Sequence, residues 1–284
     1  MSLRHQPKAA LINDFSGFGR CSVTVALPII SQMKVQCCPV LTSVFSNHTG
    51  FAAFACQDLT AFLPSYLEQW KQLNLTFDGV LCGFLGQAEQ ILSVSSFLSD
   101  QKSRGCQTIL VDPVMGDHGK PYRTITPKHC QKLRSLIPLA DIITPNITEA
   151  CLLTDTPWKD GFWNESELSE LCQRLHKLGP SKIVITGLPC LIHGKEGFEN
   201  YLSCKEPFSQ RACLTPSAGP ARHGTGDIFA SILMADALNG VDFSVSVQKA
   251  ADFISKCISA SKALQIPEPD GVCFENFLSD LADQ

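Results

Sequence analysis

The sequence Gly224-Thr225-Gly226-Asp227 places a short glycine-rich turn and a carboxylate directly before the apolar run IFASILMADAL. The run predicts a helix, and the glycines allow several backbone N–H groups to point at one spot beside its N-terminus. Such a spot suits a phosphate or a developing oxyanion, and Asp227 could accept a proton from a substrate hydroxyl. The alternative is an ordinary glycine turn in which Asp227 only caps the helix.

A second polar pattern, Asn146-x-x-Glu149, follows the predicted strand DIITP. Pro145 ends that strand, so a helix is predicted to begin at the carboxyl edge of the sheet, where open α/β sheets bind ligands. Glu149 could hold Mg²⁺ there, usually through water. Alternatively, Asn146 and Glu149 simply form a capping box at the start of the helix.

Two predicted loops carry further polar groups. Asp112 and Asp117 lie in DPVMGD, after the apolar run TILV, and could face a metal-bound polyphosphate or form a solvated turn. His48 and Thr49 lie in FSNHTG and offer a titratable ring and a hydroxyl. These groups suit the polar edge of an aromatic ligand, although a solvated loop is the alternative.

Two well-known nucleotide-binding motifs are excluded. No G-x-x-x-x-G-K-[ST] is present, so the chain is not a P-loop enzyme. The SGFG loop that starts at Ser16 has Ser22 where G-x-G-x-x-G needs its third glycine, and no acidic residue ends the second strand. A dinucleotide-binding dehydrogenase is therefore rejected.

The pattern along the chain predicts an α/β fold with a mostly parallel sheet, because short apolar runs alternate with helical ones. The predicted strands are Ala9–Asn13, Gln36–Val44, Gly79–Phe84, Thr108–Asp112, Asp141–Thr144 and Lys182–Gly187. The predicted helices are Cys21–Met33, Asp58–Leu73, Ala88–Arg104, Pro127–Leu136, Glu165–Leu178, Asp227–Leu238, Phe243–Leu264 and a short one around Phe274–Leu281. Pro189 to Leu214 is predicted to form antiparallel hairpins, and residues 1–284 to form a single domain.

Composition limits the class of protein and of partner. The 284 residues are 44% hydrophobic and 18% charged, which indicates a compact globular chain. A formal charge of −4 gives no electrostatic footprint for nucleic acid, so a small-molecule partner is expected. The 14 cysteines lack zinc-type spacing, and nearly all of them are interpreted as small buried hydrophobes in a reducing compartment. Without a signal peptide or a membrane-length apolar run, a cytoplasmic protein is expected.

Taken in order, FSNHTG, CGFLGQAEQ, DPVMGD, ITPNITEA, KIVITG and GTGD resemble the pyridoxal kinases of the ribokinase-like superfamily. The resemblance runs from about Lys8 to Leu264. It implies a three-layer α/β/α fold and ATP-dependent phosphorylation of the hydroxymethyl group of a vitamin B6 compound. It also implies ATP and Mg²⁺ as cofactors, a monovalent cation such as K⁺, and a homodimer.

The same resemblance implies roles for individual residues. Asp227 would be the general base, and the amides of Gly224, Thr225 and Gly226 would form an anion hole. Asn146 and Glu149 would organise Mg²⁺. The remaining implied contacts are Asp112 and Asp117 near the ATP phosphates and metal, Thr144, Asn146, Thr186, Gly187 and Gly224 on the nucleotide side, and Asp14, Ser16, His48, Thr49 and Phe84 on the substrate side.

One segment departs from that pattern. Pyridoxal kinases commonly carry Q-S-H where this chain has Asn13-Asp14-Phe15, and the run from Asp14 through Ser16 to Gly19 looks more like hydroxymethylpyrimidine kinases. Thr225 and FSNHT follow the pyridoxal pattern. Asp14 could accept a hydrogen bond from a pyridoxamine ammonium. A hydroxymethylpyrimidine kinase and a non-catalytic pyridoxal-binding protein therefore stay open as alternatives, although a mere binder has no need of GTGD and N-x-x-E together.

Overall fold

The computed structural model describes residues 5–123 and 125–282, and its centre is a nine-stranded sheet. The order across the sheet is β11-β10-β9-β8-β5-β4-β1-β2-β3, and a separate hairpin joins β6 to β7. The strands from β9 to β2 run parallel, whereas β3, β10 and β11 are antiparallel to their neighbours. The strand bounds are β1 Lys8–Ser16, β2 Gln36–Phe45, β3 Cys56–Asp58, β4 Gly79–Cys82, β5 Thr108–Val111, β6 Gly116–Asp117, β7 Lys120–Pro121, β8 Ile142–Ile143, β9 Lys182–Ile192, β10 Lys195–Cys204 and β11 Ser209–Pro216.

Helices cover both faces of this sheet. Alternate residues of β1 point to opposite sides, so Ala10 and Ile12 join one apolar core while Ala9 and Leu11 join the other. The first core includes residues of α2 to α6, and the second includes residues of α1, α7 and α8. This arrangement confirms the predicted three-layer α/β/α fold. The helix bounds are α1 Val23–Gln32, α2 Leu63–Gln72, α3 Ala88–Ser103, α4 Pro127–Leu133, α5 Ile147–Thr154, α6 Glu165–Lys177, α7 Thr225–Leu238 and α8 Phe243–Ala263, with 3₁₀ helices at Arg134–Leu139, Glu268–Asp270 and Glu275–Leu281.

Three predicted elements need correction. The helix predicted from Asp58 begins at Leu63, because Cys56–Asp58 pairs with the end of β2 as an edge strand. The strand predicted to end at Gly187 continues to Ile192, although the antiparallel hairpins that follow are confirmed. The C-terminal helix is a 3₁₀ helix. The β6–β7 hairpin was not predicted, because its strands have only two residues each.

The cysteines are all free, but they are less buried than predicted. Seven are buried, six are partly buried, and Cys56 is exposed on the edge strand. The prediction that nearly all of them are buried is therefore wrong, because half of them are partly or largely exposed, on β2, β3, β9, β10, α4 and the segment before β5. None of the helices described combines the length and apolar character that crossing a membrane requires.

Candidate active site

The parallel strands bring the polar residues to one edge of the sheet. Ser16 ends β1, Asp112 directly follows β5, and Thr144 directly follows β8. Each of these strands runs in the same direction, so their carboxyl ends lie side by side. Helix α7 starts at this edge, since Asn13 near the end of β1 contacts its third residue, Asp227.

Asp227 is held by two donors. Its Oδ1 accepts a hydrogen bond from Asn13 Nδ2 at 3.0 Å, and its Oδ2 accepts one from the backbone N–H of Ser22 at 2.7 Å. Burial raises the pKa of Asp227 to about 6; the Ser22 hydrogen bond opposes this shift and the charge of Asp14 adds to it. A carboxylate with a pKa near neutrality that retains free lone pairs is suited to accept a proton from an alcohol.

Gly224 caps the start of α7 in a left-handed conformation, with φ of 86°. A Cβ atom at this position would lie 1.9 Å from the backbone oxygen of Arg20, so only glycine allows this close approach. Thr225 begins the helix, and its hydroxyl donates to the backbone oxygen of Arg222 at 3.3 Å. The first N–H groups of a helix have no partner within the helix, and Gly226 is exposed. This end of α7 can therefore present amide N–H groups to an anion.

Asp112 faces the same helix end. A Cβ atom built on Gly226 would lie 3.8 Å from Asp112 Oδ2, while Thr144 Oγ1 donates to Asp112 Oδ1 at 3.0 Å. Burial, and then the charge of Asp227, raise the pKa of Asp112 to about 7. The neighbouring carboxylates of Asp112 and Asp227 repel each other when both are ionised. A cation bound beside them, where it could also contact a polyphosphate, would therefore be favoured.

Asn146 and Glu149 form the capping box that the N-x-x-E pattern allows. Asn146 Oδ1 accepts from the N–H of Glu149 at 2.9 Å, and Glu149 Oε2 accepts from the N–H of Asn146 at 2.9 Å. Glu149 is only 4% exposed, and its Oε1 accepts from the N–H of Met115 at 3.0 Å. Asn146 Nδ2 also donates to the oxygen of Gly116, which ties α5 to the β6–β7 hairpin. Burial, followed by the charge of Asp112, raises the pKa of Glu149 well above its usual range.

The acidic residues at this edge suit a metal such as Mg²⁺, which needs few direct protein ligands. Within the described parts of the chain, no three His, Cys, Asp or Glu side chains group as a direct metal site. Mg²⁺ usually keeps several waters and uses one or two carboxylates together with substrate phosphates. Asp112 and Glu149 fit that donor set, whereas Asp117 is exposed and its Oδ1 accepts from the N–H of His118. The metal roles of all three stay predictions.

The predicted nucleotide side is continuous with this edge. Thr186 donates its N–H to the oxygen of Pro145 at 2.9 Å and forms a parallel bridge with Asn146. Gly187 is exposed, has φ of 68°, and donates its N–H to Asn200 Oδ1 at 3.1 Å. No heavy atom lies within 4 Å of where its Cβ would be, so the backbone there is open to a ligand.

On the predicted substrate side, the Asp14 carboxylate is engaged by hydrogen bonds within the protein. Asp14 accepts hydrogen bonds from Ser22 Oγ at 2.6 Å and from Ser16 Oγ at 3.1 Å, and burial raises its pKa. Thr49 is exposed. Phe84 is partly buried, and its backbone N–H donates to Asn13 Oδ1 at 2.9 Å.

His48 uses both ring nitrogens inside the protein. Nδ1 accepts from the N–H of Gly50 at 3.1 Å, and Nε2 lies 2.7 Å from the oxygen of Pro269, to which it donates. Its ring also lies against that of His223, with centroids 4.0 Å apart. A substrate contact by His48 would therefore use the face or edge of the ring, and that role stays a prediction.

Asn13 and Ser22 lie at the site but were not predicted as site residues. Neither belongs to a motif with a known chemical role, and Ser22 acts on Asp227 through its backbone. The one available signal was position, since both flank the SGFG loop that follows β1. His223 was also missed, although it directly precedes Gly224.

Comparison with known proteins identifies the family. A family model described as phosphomethylpyrimidine kinase matches residues 26–271, which is most of the chain. The chain belongs to the phosphomethylpyrimidine kinase family. Its members include the pyridoxal kinases that the sequence motifs resemble: the Arabidopsis thaliana pyridoxal kinase is 33% identical over 203 residues. That match covers 69% of this chain and 63% of the relative, so the chain spans less than two thirds of that protein.

Solved structures of the phosphomethylpyrimidine kinase family share the whole fold. A Bacteroides thetaiotaomicron protein classed as a phosphomethylpyrimidine kinase is 33% identical and superimposes with a TM-score of 0.93. The alignment covers 100% of this chain and 96% of that one. A second crystal form of the Bacteroides protein contains pyridoxal and superimposes with a TM-score of 0.91, over 98% of this chain and 96% of that one. The ribokinase-like fold predicted from the sequence is thereby confirmed.

Proposed function

We propose that this protein transfers the γ-phosphoryl group of ATP to the hydroxymethyl group of a vitamin B6 compound such as pyridoxal. The observation that carries the proposal is the position of Asp227. Its carboxylate lies in the first turn of α7, beside the Gly224 cap and across from Asp112. A base, an anion-binding helix end and a second carboxylate thus meet at the ligand-binding edge of the sheet.

Phosphoryl transfer needs mainly positioning and charge stabilisation. Asp227 accepts the proton of the substrate hydroxymethyl group as its oxygen attacks. The amides of Gly224, Thr225 and Gly226 donate to the oxygens of the transferred group and stabilise charge at the helix end. Asn13 and the Ser22 amide hold Asp227 in place, since each donates to one carboxylate oxygen and leaves a lone pair for the substrate.

The proposed cofactors, ATP and Mg²⁺, would bind at the same edge of the sheet. Asp112 and Glu149 would hold Mg²⁺, with Asp117 at the exposed rim of the hairpin. When bound, Mg²⁺ neutralises charge on the phosphate oxygens. Thr144, Thr186 and Gly187 line the nucleotide side, where Gly187 is open to a ligand. A monovalent cation such as K⁺, a homodimer and a cytoplasmic location complete the proposal; these three rest on the sequence resemblance.

The substrate assignment is supported by two of the comparisons. The Arabidopsis relative is named a pyridoxal kinase, and the Bacteroides relative crystallised with pyridoxal. His48, Thr49 and Phe84 are proposed to line the pyridine pocket, with the Phe84 ring beside the substrate ring. The ring centroids of Phe84 and Phe45 lie 6.4 Å apart, so an aromatic substrate ring beside Phe84 would join an existing aromatic pair.

The second candidate is a hydroxymethylpyrimidine kinase. Asp14 and the following run match that pattern, and the Bacteroides relative is classed as a phosphomethylpyrimidine kinase. Both reactions phosphorylate a primary alcohol on an aromatic nitrogen heterocycle, so the arrangement around Asp227 serves either. A non-catalytic pyridoxal-binding protein is the third candidate, and it would bind pyridoxal without consuming ATP.

One experiment separates the three candidates. The protein is incubated with Mg-ATP and, separately, with pyridoxal, pyridoxamine, pyridoxine and hydroxymethylpyrimidine, and phosphorylated products are identified by mass. The proposal predicts the highest kcat/KM for a B6 compound. A higher value for hydroxymethylpyrimidine would establish the second candidate. Pyridoxal binding without ADP formation would establish the third.

A further inference from the structure

Ser22 has an unusual backbone for a residue at the start of a helix. It caps α1, but its hydroxyl makes no capping bond to that helix, which is the common use of serine at this position. Its φ of 57° and ψ of −137° lie outside the regions that residues with a side chain favour. Such strain persists only where the surroundings hold it, and it clusters at functional sites.

Two hydrogen bonds account for this conformation. The Ser22 N–H donates to Asp227 Oδ2 at 2.7 Å, and the Ser22 hydroxyl donates to Asp14 Oδ1 at 2.6 Å. Ser22 is 7% exposed and Asp14 is 6% exposed, so water competes little for either bond. Asp14 is itself fixed by Ser16 Oγ at 3.1 Å and by its own N–H, which donates to Asn13 Oδ1 at 3.0 Å.

We propose that Asp14 and Ser22 are positioning residues that act in series on the base Asp227. The Asp14 carboxylate holds the Ser22 hydroxyl, and this bond keeps the Ser22 peptide in its strained orientation. The peptide N–H in turn fixes one oxygen of Asp227 and leaves its free lone pair directed at the substrate. This inference rests on the proposed function, in which Asp227 is the base, and it gives Asp14 a role other than contact with a substrate charge.

The series arrangement has a direct consequence. Without the hydroxyl or the carboxylate, the Ser22 backbone can relax toward ordinary angles, and the N–H turns away from Asp227. Either loss breaks the same link, so losing both does no further harm. Residues that act through one shared contact show this non-additivity, which a double-mutant cycle measures.

The kinetic test uses Ser22→Ala, Asp14→Ala, their double variant and Asp14→Asn. Each alanine variant is expected to lower kcat by about 10- to 100-fold, the scale of a lost hydrogen bond to a charged group. KM for the alcohol substrate is expected to stay within about threefold, since binding is untouched. The double variant should match the single ones. Asp14→Asn should recover most of the loss, because its amide oxygen still accepts from the Ser22 hydroxyl.

Several outcomes would overturn the inference. Multiplying losses in the double variant would show that Asp14 and Ser22 act independently. An Asp14→Asn variant as impaired as Asp14→Ala, with a raised KM for pyridoxamine alone, would show that the carboxylate charge contacts the substrate. If Asp14→Ala fails to fold, Ser22→Ala must still lower kcat and Asp14→Asn must still keep most of it; near-wild-type turnover by Ser22→Ala would overturn the inference.

Crystal structures of wild type and Ser22→Ala test the same inference without any turnover. The distance from the residue 22 nitrogen to Asp227 Oδ2 is expected to lengthen beyond hydrogen-bonding range in the variant. An unchanged 2.7 Å contact would contradict the positioning role. Absence of kinase activity in the wild type would instead overturn the proposed function, so the two failures are distinguishable.

Discussion

Asn13 Nδ2 donates to Asp227 Oδ1 at 3.0 Å, a contact between residues that are 214 positions apart in the chain. The orientation of the Asn13 amide is fixed because its oxygen accepts from the N–H groups of Phe84 and Asp14. The NH₂ group therefore points at Asp227. Through this side chain, the end of β1 orients one oxygen of the carboxylate in the first turn of α7.

Asn13→Ala is expected to lower kcat by about 10- to 100-fold, because Asp227 loses a donor that orients it and favours its ionised form. Steady-state kinetics on the preferred alcohol would measure the effect. Asn239→Ala is the matched control, since Asn239 caps the other end of α7 and donates to the oxygen of Met33. Equal losses in the two variants would indicate general damage to α7 and contradict the specific role of Asn13.

Gly224→Ala is expected to disrupt the anion-binding turn and lower both kcat and the melting temperature. An alanine Cβ would meet the oxygen of Arg20 at 1.9 Å, in addition to the cost of about 1–2 kcal/mol for a positive φ. Gly240→Ala isolates the second contribution, because Gly240 has φ of 76° with no atom within 4 Å. The control should lose stability modestly and keep its turnover. If the two variants lose the same turnover and the same stability, the close approach of Gly224 to Arg20 does not matter for function.

Much of the fold followed from the sequence, because it depends on periodic apolar patterns that strands and helices impose locally. The segment Ala9–Ile12 is an example. A parallel strand buried on both faces needs apolar residues on both faces, and this segment has four consecutive apolar residues. The edge strand Cys56–Asp58 was missed because it is short and all three of its residues are exposed, and only its pairing with β2 defines it.

The candidate site was predictable only where chemistry and motif coincide, as at Gly224 and Asp227. Asn13 and Ser22 depend on contacts with Asp227 that no local pattern encodes. Likewise, nothing near His48 in the sequence indicates that its ring donates to Pro269, 221 residues away. Such contacts are set by how loops meet after folding.

Glu149→Gln is expected to raise the Mg²⁺ concentration for half-maximal activity by about tenfold, as for other groups that orient a metal shell. Melting should change little, since glutamine can also complete a capping box. Glu167→Gln is the control, because Asn164 and Glu167 form the same capping box at the exposed start of α6. A Mg²⁺ titration that is the same for wild type and Glu149→Gln would remove Glu149 from metal binding.

Asp112→Asn is expected to raise the melting temperature of the metal-free protein, and to do so more at high pH. The pKa of Asp112 is raised from 3.8 to about 7, so folding loses stability from this group as pH rises through that interval. Asparagine does not titrate and still accepts from Thr144, so its advantage should be about 2–5 °C at pH 8 and smaller at pH 5. Thermal melts at both values measure this, and a difference that does not change with pH would contradict the raised pKa.

The most direct measurement of the central claim is the turnover of Asp227→Asn. If Asp227 accepts the proton of the alcohol, kcat with Mg-ATP should fall by roughly 10²–10⁴-fold, the scale of a lost general base. Asparagine keeps the size of the side chain and one of the two acceptor oxygens, and removal of a buried charge offsets the hydrogen bond that is lost, so the variant should stay folded. Near-wild-type turnover by this folded variant would contradict the assignment of Asp227 as the base.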